Sequence, residues 1–169
     1  PTPTTDLINI LKHGDEHSSR VVEHLRVTRY PLDFLKTLNI VDTPGTNSIV
    51  KEHDDLTVNF IPKADFIVFV ISVDRPLTDS EREFLELISI KWKRKVIFLL
   101  NKIDTKDSAD VAEVREYLTK EVGRILGIPP TIFTVSVKQA FQGKIGSDSD
   151  LLTQSHFPDV EHYIFEALN

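Results

Sequence analysis

The chain contains no cysteine and no methionine in its 169 residues, and it has only six glycines. Without cysteine, it has neither a disulfide framework nor a thiolate metal site. No apolar run approaches the roughly 18 residues that a membrane-spanning helix requires, and the first residues show no signal-peptide pattern. Because even a first methionine is missing, we expect the chain to be an internal fragment of a longer protein.

Clustered positive charge is also missing from the sequence. The formal net charge is −6 at pH 7, and no long run of Lys and Arg occurs. Proteins that bind nucleic acids neutralise phosphate groups with clustered basic residues, so this composition argues against nucleic acid as the main partner. The hydrophobic content of 40% is sufficient for one domain with a sizeable core.

The distribution of apolar residues predicts strands and helices in a regular order. In the first part of the chain, the predicted strands are residues 6–12, 23–30 and 34–41. From residue 65 onward the predicted elements alternate: strands 65–72, 95–101 and 131–136, a helix that starts at the capping box Thr78–Glu81, a helix from Ser108 to Gly127, and a helix over 157–168. Residues 142–156 are rich in Gly, Ser and Asp and predict a loop. The alternation predicts an α/β fold with a mostly parallel sheet flanked by helices.

One polar segment directly follows the predicted strand 95–101. It is Asn101-Lys102-Ile103-Asp104, within the stretch FLLNKIDT. The carboxylate of Asp104 can accept hydrogen bonds from both N1–H and the exocyclic amine of guanine, whereas adenine presents no such pair of donors. Asn101 would tie neighbouring loops together, and the stem of Lys102 would cover the base. As an isolated motif, the same four residues are equally typical of a solvated surface loop.

A second polar segment, Asp42-Thr43-Pro44-Gly45, follows the predicted strand 34–41. Asp42 can hold a water molecule on Mg²⁺, a cation that usually keeps several of its waters. Gly45 has no Cβ, so its N–H can approach a γ-phosphate closely. By itself, Asp-Thr-Pro-Gly is also the sequence of an ordinary turn.

A third segment, Ser136-Val137-Lys138, ends the predicted strand 131–136. It is similar to the Ser-Ala-Lys segment of many GTPases, whose backbone supports the base. The three segments are separated by about 55 and about 30 residues, and ligands of parallel sheets bind at the carboxyl ends of the strands. Their order and spacing together predict a domain that binds guanine nucleotides.

The sequence has no match to the phosphate-binding loop G-x-x-x-x-G-K-[ST]. Its one Gly-Lys pair, Gly143-Lys144, is followed by Ile145 and has Lys138 where the first glycine should stand. Either the protein binds no nucleotide, or the loop lies outside this chain.

Three stretches resemble the bacterial dynamin-like proteins, in the branch that includes cyanobacterial members and the chloroplast relative of mitofusins. They are NIVDTPGTNSIVKEH, FIPKADFIVFVISVDRPLTDSEREFL and VIFLLNKID. The closing stretch FPDVEHYIFEAL and the first residues, PTPTTDLI, are also similar to those proteins. The resemblance implies that residues 1–169 form a single truncated G domain of the P-loop-NTPase type, without its first strand and its phosphate loop.

The same resemblance implies roles for individual residues. Thr5 would complete the Mg²⁺ shell and place the attacking water, with Thr4 as the alternative, and Gly45 would join them as a catalytic residue. Asp42 would be the other residue of the metal site. The residues implied to hold the nucleotide are Asp42, Thr43, Pro44, Gly45, Asn101, Lys102, Asp104, Ser136, Val137 and Lys138.

The resemblance also implies that GTP or GDP is the ligand, Mg²⁺ the cofactor, and GTP hydrolysis the activity of the longer protein. Hydrolysis would be coupled to self-assembly through G-domain dimers and higher homo-oligomers. A stalk and tip outside this chain would contact a lipid membrane from the cytoplasm, either the bacterial inner membrane or a chloroplast membrane.

Two alternatives to this function stay open. One is a G-domain-like module that binds partners without turnover, and the other is a small regulatory or ribosome-assembly GTPase. Arg75 could stabilise transition-state charge across a G-domain dimer, although a surface arginine near Asp74 or Asp79 is the expected structure.

Overall fold

The computed structural model describes residues 7–43 and 60–168 of the chain. It divides into two compact units, Pro1–Lys51 and Glu52–Asn169. Each unit has its own β-sheet.

The first unit contains a four-stranded sheet of mixed direction. Its strands are β1 (Ile8–His13), β2 (Ser18–Val22), β3 (Leu25–Tyr30) and β4 (Ile40–Asp42), in the order β2-β3-β1-β4. β1 and β3 are parallel, whereas β2 pairs with β3 and β4 pairs with β1 in antiparallel orientation. The first residues of β1 are alternately buried and half-buried, as expected for a strand with one face covered more than the other.

The predicted strand 34–41 is wrong in its first half. Residues Asp33–Lys36 form a 3-10 turn, and β4 covers only the end of the predicted range. The turn is stabilised because Leu35 is buried and because the hydroxyl of Thr37 donates to the carbonyl oxygen of Phe34 at 3.0 Å. The sequence pattern does not predict β2, since all of its residues are exposed and no apolar alternation marks it.

The second unit is a parallel sheet covered by helices. Strands β5 (Ile67–Ser72), β6 (Val96–Asn101) and β7 (Thr131–Val135) lie in the order β5-β6-β7, and both strand pairs are parallel. This arrangement confirms the predicted α/β fold with a parallel sheet.

The helices described between residues 60 and 168 are α1 (Asp79–Trp92), α2 (Ser108–Leu126), α3 (Val137–Gly146), α4 (Ser149–Gln154) and α5 (Phe157–Leu168). Short 3-10 turns lie at Ile61–Lys63, Lys93–Lys95 and Ile103–Thr105. Within the described residues, none of the helices combines the length and the apolar character needed to cross a membrane.

Local signals determine the boundaries of α1 and α2. Thr78 and Glu81 form the predicted capping box, with N–H···O distances of 3.4 Å to Thr78 Oγ1 and 2.7 Å to Glu81 Oε2. The first turn of α2 is capped by the carboxylate of Asp107, which accepts from a backbone N–H at 2.9 Å, and not by the predicted Ser108. The helix ends at Gly127, whose φ of +66° is the left-handed conformation that glycine adopts without a Cβ clash.

The predicted loop 142–156 is wrong, because α3 and α4 occupy most of it. Gly143 lies where these two helices meet, and a Cβ at this position would come within 2.8 Å of the backbone nitrogen of Leu152. Asp148 caps α4 by accepting from the N–H of Leu151 at 2.9 Å. By composition, these two residues suggest a loop. In the structure, Gly143 allows two helices to pack closely and Asp148 caps the second of them.

Side chains cover the parallel sheet on both faces. Phe98 and Leu100 of β6 belong to a hydrophobic cluster that includes residues of α1 and α2. The alternating Ile97 and Leu99 belong to a second cluster, together with Val160 of α5. Successive side chains of a strand point to opposite faces of its sheet, so β6 is buried on both sides. The packing fixes the ends of the strands, where the polar segments begin.

Candidate nucleotide-binding site

The carboxyl ends of β5, β6 and β7 lie side by side. Ser72 at the end of β5 is the register partner of Asn101 in β6, and Asn101 is the partner of Val135 in β7. The segments 101–104 and 136–138 therefore leave the sheet at one edge. The structure brings together these two polar segments, which are far apart in the sequence.

Asn101 connects the loops at this edge. Its side-chain Oδ1 accepts from the backbone N–H of Lys102 at 2.7 Å and from that of Val137 at 3.0 Å. Its backbone oxygen accepts from the N–H of Val73, in the loop after β5, at 3.0 Å. One residue thus holds the loops that follow three neighbouring strands.

Lys102 reverses the chain direction after β6. Its φ of +69° lies in the left-handed region, which a residue with a Cβ adopts at a cost of about 1 kcal/mol. The carbonyl oxygen of Lys102 accepts from the backbone N–H of Thr105 at 3.0 Å and from the hydroxyl of Thr105 at 2.8 Å. These bonds close a tight turn around Asp104.

Asp104 presents a carboxylate that the protein mostly covers. The residue as a whole is exposed, but its side chain is only 13% exposed, so the accessible area lies mainly on the main chain. Oδ1 accepts from the hydroxyl of Ser136 at 2.6 Å, while Oδ2 lies 4.0 Å from the ammonium of Lys138. A carboxylate has about four acceptor positions, so the group retains capacity for a pair of N–H donors.

Ser136 orients this carboxylate from inside the protein. The residue is fully buried, and its Oγ donates to Asp104 while accepting from the N–H of Gln139 at 3.2 Å as the cap of α3. The next two residues, Val137 and Lys138, are exposed in the first turn of α3. We expected the backbone of this segment to support a base; the side-chain bond from Ser136 to Asp104 is a contact that the sequence alone does not reveal.

Asp74 is a residue of this region that sequence reasoning missed. Its carboxylate lies 3.8 Å from the ammonium of Lys102 and 3.9 Å from that of Lys106. The sequence suggests Asp74 only as a partner for Arg75, which is exposed and forms no ion pair with the described residues. The position of Asp74 just after β5, at the ligand-binding edge of the predicted sheet, is the signal that could have identified it.

Asp42 and Thr43 belong to the first unit, at the end of β4. Both are exposed, and Oδ2 of Asp42 accepts from the side-chain amide of Asn9 at 3.5 Å. The remaining predicted residues of the phosphate and metal site, Thr4, Thr5, Pro44 and Gly45, lie outside the described part of the chain.

The donor chemistry of Asp42 fits Mg²⁺. An exposed carboxylate is a hard oxygen ligand, and proteins usually hold this ion through one or two carboxylates together with water and substrate phosphates. Within residues 7–43 and 60–168, no group of three or more His, Asp or Glu could hold a metal ion by itself.

The sequence of the chain matches a known protein family. The profile described as the dynamin family matches residues 1–103. The chain is 38% identical over 155 residues to the probable transmembrane GTPase FZO-like, chloroplastic, of Arabidopsis thaliana. The aligned residues cover 87% of this chain and 17% of the Arabidopsis protein. It is 30% identical over 114 residues to dynamin-like protein A of Bacillus subtilis, covering 64% of this chain and 10% of that protein.

A solved structure shows the same fold. The bacterial dynamin GTPase LeoA from ETEC superposes with a TM-score of 0.56 at 16% identity, over 93% of this chain and 30% of that chain. The present chain thus spans less than a third of the length of each of these proteins. The match of the family profile to more than half of the chain, together with the identity to the Arabidopsis protein, confirms the resemblance: the chain belongs to the dynamin family.

Proposed function

We propose that this chain belongs to a G domain that binds and hydrolyses GTP in a longer, dynamin-type protein, and that its segments 101–104 and 136–138 recognise the base. The observation that carries the proposal is the arrangement around Asp104. Its covered carboxylate is bound by Ser136, and Asn101 ties together the loops on either side of it. A surface loop without a ligand does not require a covered carboxylate that a buried hydroxyl group holds in place.

The chemistry of this arrangement favours guanine. The carboxylate of Asp104 accepts from N1–H and from the exocyclic amine, and a base without these donors would leave a covered charge without partners. The stem of Lys102 covers one face of the base, while its ammonium is held near Asp74. Base selection thus depends on groups that lie within residues 60–168.

Hydrolysis depends on a different set of residues in the proposed function. Asp42 would hold a water bound to Mg²⁺, and Thr5, or alternatively Thr4, would bind the ion and orient the attacking water. Gly45 would contact the γ-phosphate through its backbone N–H, and Thr43 and Pro44 are the neighbouring residues proposed to bind the nucleotide. When bound, Mg²⁺ neutralises charge on the phosphates.

Self-assembly and membrane contact belong to the complete protein in this proposal. G domains would pair as homodimers and join into larger homo-oligomers, while regions outside this chain would place the protein peripherally on a bacterial or chloroplast membrane. The name of one relative, a probable transmembrane GTPase, supports contact with a membrane.

The test of the proposed function is GTP turnover by the product of the complete gene, at several protein concentrations, with and without liposomes. We expect turnover per molecule to rise with protein concentration or with lipid. Binding of GTP without any turnover would support the inactive interaction module instead. Turnover that is independent of concentration and lipid would support a small regulatory GTPase.

A further inference from the structure

Two polar residues are buried completely among the described residues, Ser136 and Ser155. They are joined directly, because the backbone N–H of Ser136 donates to the carbonyl oxygen of Ser155 at 3.0 Å. Buried polar groups are costly unless each has a hydrogen-bond partner. Ser136 also donates to the carboxylate of Asp104. The two serines therefore form a buried polar connection behind the candidate base site.

Ser155 lies in the turn between α4 and α5, and its side chain holds that turn. Its hydroxyl donates to the carbonyl oxygen of Leu152 and accepts from the N–H of Phe157 at 3.2 Å. The next residue, His156, has a φ of +56°, which a residue with a Cβ adopts only where its surroundings enforce it. The hydroxyl therefore fixes the turn from which the carbonyl of Ser155 reaches Ser136.

Helix α4 is in turn held against α3 by close backbone contact. The N–H of Asp148 donates to the carbonyl oxygen of Gly143 at 2.9 Å. A Cβ on Gly143 would lie 2.8 Å from the nitrogen and 3.1 Å from the Cα of Leu152, so only glycine permits this approach. By contrast, a Cβ on Gly146, at the end of the same helix, would meet no atom within 4 Å.

We propose that Ser155 is a positioning residue for guanine selectivity, and that it acts through Ser136 on the carboxylate of Asp104. The path consists of two hydrogen bonds, from the N–H of Ser136 to Ser155 and from the hydroxyl of Ser136 to Asp104. Ser155 does not contact the nucleotide itself. This inference rests on the proposed function, since it assigns a support to the same base site.

The selectivity that Asp104 provides is measured by comparing GDP with IDP. Hypoxanthine keeps the N1–H of guanine but lacks the exocyclic amine, so the ratio of the two dissociation constants reports one contact of the carboxylate. Both ligands are measured on one sample of the complete protein, so an unfolded fraction cancels from the ratio. A substitution that only lowers the stability of the protein therefore does not change the ratio of the two dissociation constants.

We expect Ser155→Ala to lower the preference for GDP over IDP by about three- to tenfold, the effect of one lost hydrogen bond on the orientation of the group. Thr153→Ala is the matched control, because its hydroxyl makes the same type of bond to a backbone carbonyl of α4, that of Ser149, at an exposed position. The control should leave the ratio unchanged. In a Ser136→Ala background, Ser155→Ala should have little further effect, because the path is already broken.

Gly143→Ala provides a second test that does not alter Ser155. It should push α4 away from α3 and lower the same ratio, whereas Gly146→Ala should not, although both replace a glycine of α3 by alanine. An unchanged ratio in both Ser155→Ala and Gly143→Ala, with GDP still bound, would overturn this inference alone. If the unsubstituted complete protein does not prefer GDP to IDP, the proposed function fails as well.

Discussion

At the scale of single residues, the candidate site depends on the hydrogen-bonding character of one carboxylate. We expect Asp104→Asn in the complete protein to weaken GDP binding by about 10- to 100-fold, because hydrogen bonds to a charged group are lost. Xanthine presents an oxygen where guanine has its amine, so the new amide should bind XDP in preference to GDP. Dissociation constants for both nucleotides measure the change.

The neighbouring Asp107 provides the control for this substitution. Asp107→Asn changes the same chemical group three residues away, at the cap of α2, where asparagine caps a helix as well as aspartate does. It should leave the preference for GDP over XDP intact. An unchanged preference in Asp104→Asn would remove Asp104 from the base site.

Asp74 should affect binding in a different way from Asp104. Its two ion pairs, with Lys102 and Lys106, are exposed and longer than 3.5 Å, so each is worth little. We expect Asp74→Asn to weaken GDP and IDP binding equally, by about two- to fivefold, because the lysine stem covers both bases alike. Asp79→Asn, in the first turn of α1, is the control. A change in the ratio of the two ligands would contradict this role for Asp74.

The sequence predicts candidate residues for the site and the role of Asn101 in tying loops together, but it does not predict the bond from Ser136 to Asp104. Asn101, Lys102 and Asp104 stand out because they follow an apolar strand in a spaced motif. The bond between Ser136 and Asp104 spans 32 residues, and it depends on the register of β6 and β7 and on the turn at Ser155. No local pattern in the sequence encodes a distance of that kind.

At the scale of elements, the sequence predicts correctly those strands and helices that carry a local signal in their own residues. Strands β5 and β6 are predicted because their apolar residues are contiguous, β7 because it is rich in β-branched and aromatic residues, and α1 because its capping box is local. Helices α3 and α4 were missed because their stability comes from mutual packing at Gly143, which composition alone associates with turns.

The contact between α1 and α2 includes an ion pair that should depend on pH. Glu121 accepts from Arg82 at 3.0 Å and from Arg124 at 3.2 Å. The hydrogen bond from Arg82, followed by that from Arg124, lowers the pKa of Glu121 below its ordinary value of 4.5. A lowered pKa means that the pair stabilises the folded state above that value and that the contribution is lost as the pH falls through the folded-state pKa.

We therefore expect Glu121→Gln to lower the melting temperature at pH 7, and the difference from the unsubstituted protein to shrink below about pH 4.5. Glu116→Gln is the comparison, because Glu116 pairs with Lys120 at 2.6 Å within α2 and joins no second helix. Its effect should be smaller, since exposed pairs within one helix contribute little. Equal effects of the two substitutions at pH 7 would show that the contact between helices adds nothing.

At the scale of the whole molecule, the predicted residues fall into two sets, one in each unit. The base-recognition residues lie in the second unit, and Asp42 lies in the first. The 169 residues contain no match to the phosphate-binding loop. A cradle of backbone N–H groups normally supplies much of the affinity for the β- and γ-phosphates.

This division predicts how the chain of 169 residues and the complete gene product differ in nucleotide binding. The chain alone should bind guanosine and GTP with similar, weak affinity, because its proposed site contacts the base and its sequence has no phosphate-loop motif. The complete protein should bind GTP at least about 100-fold more tightly than guanosine, because charge-assisted bonds to the phosphates are added. Calorimetric titration of both proteins with both ligands measures this. Micromolar binding of GTP by the chain alone would show that phosphate-binding groups lie within its 169 residues, where the sequence motif does not reveal them.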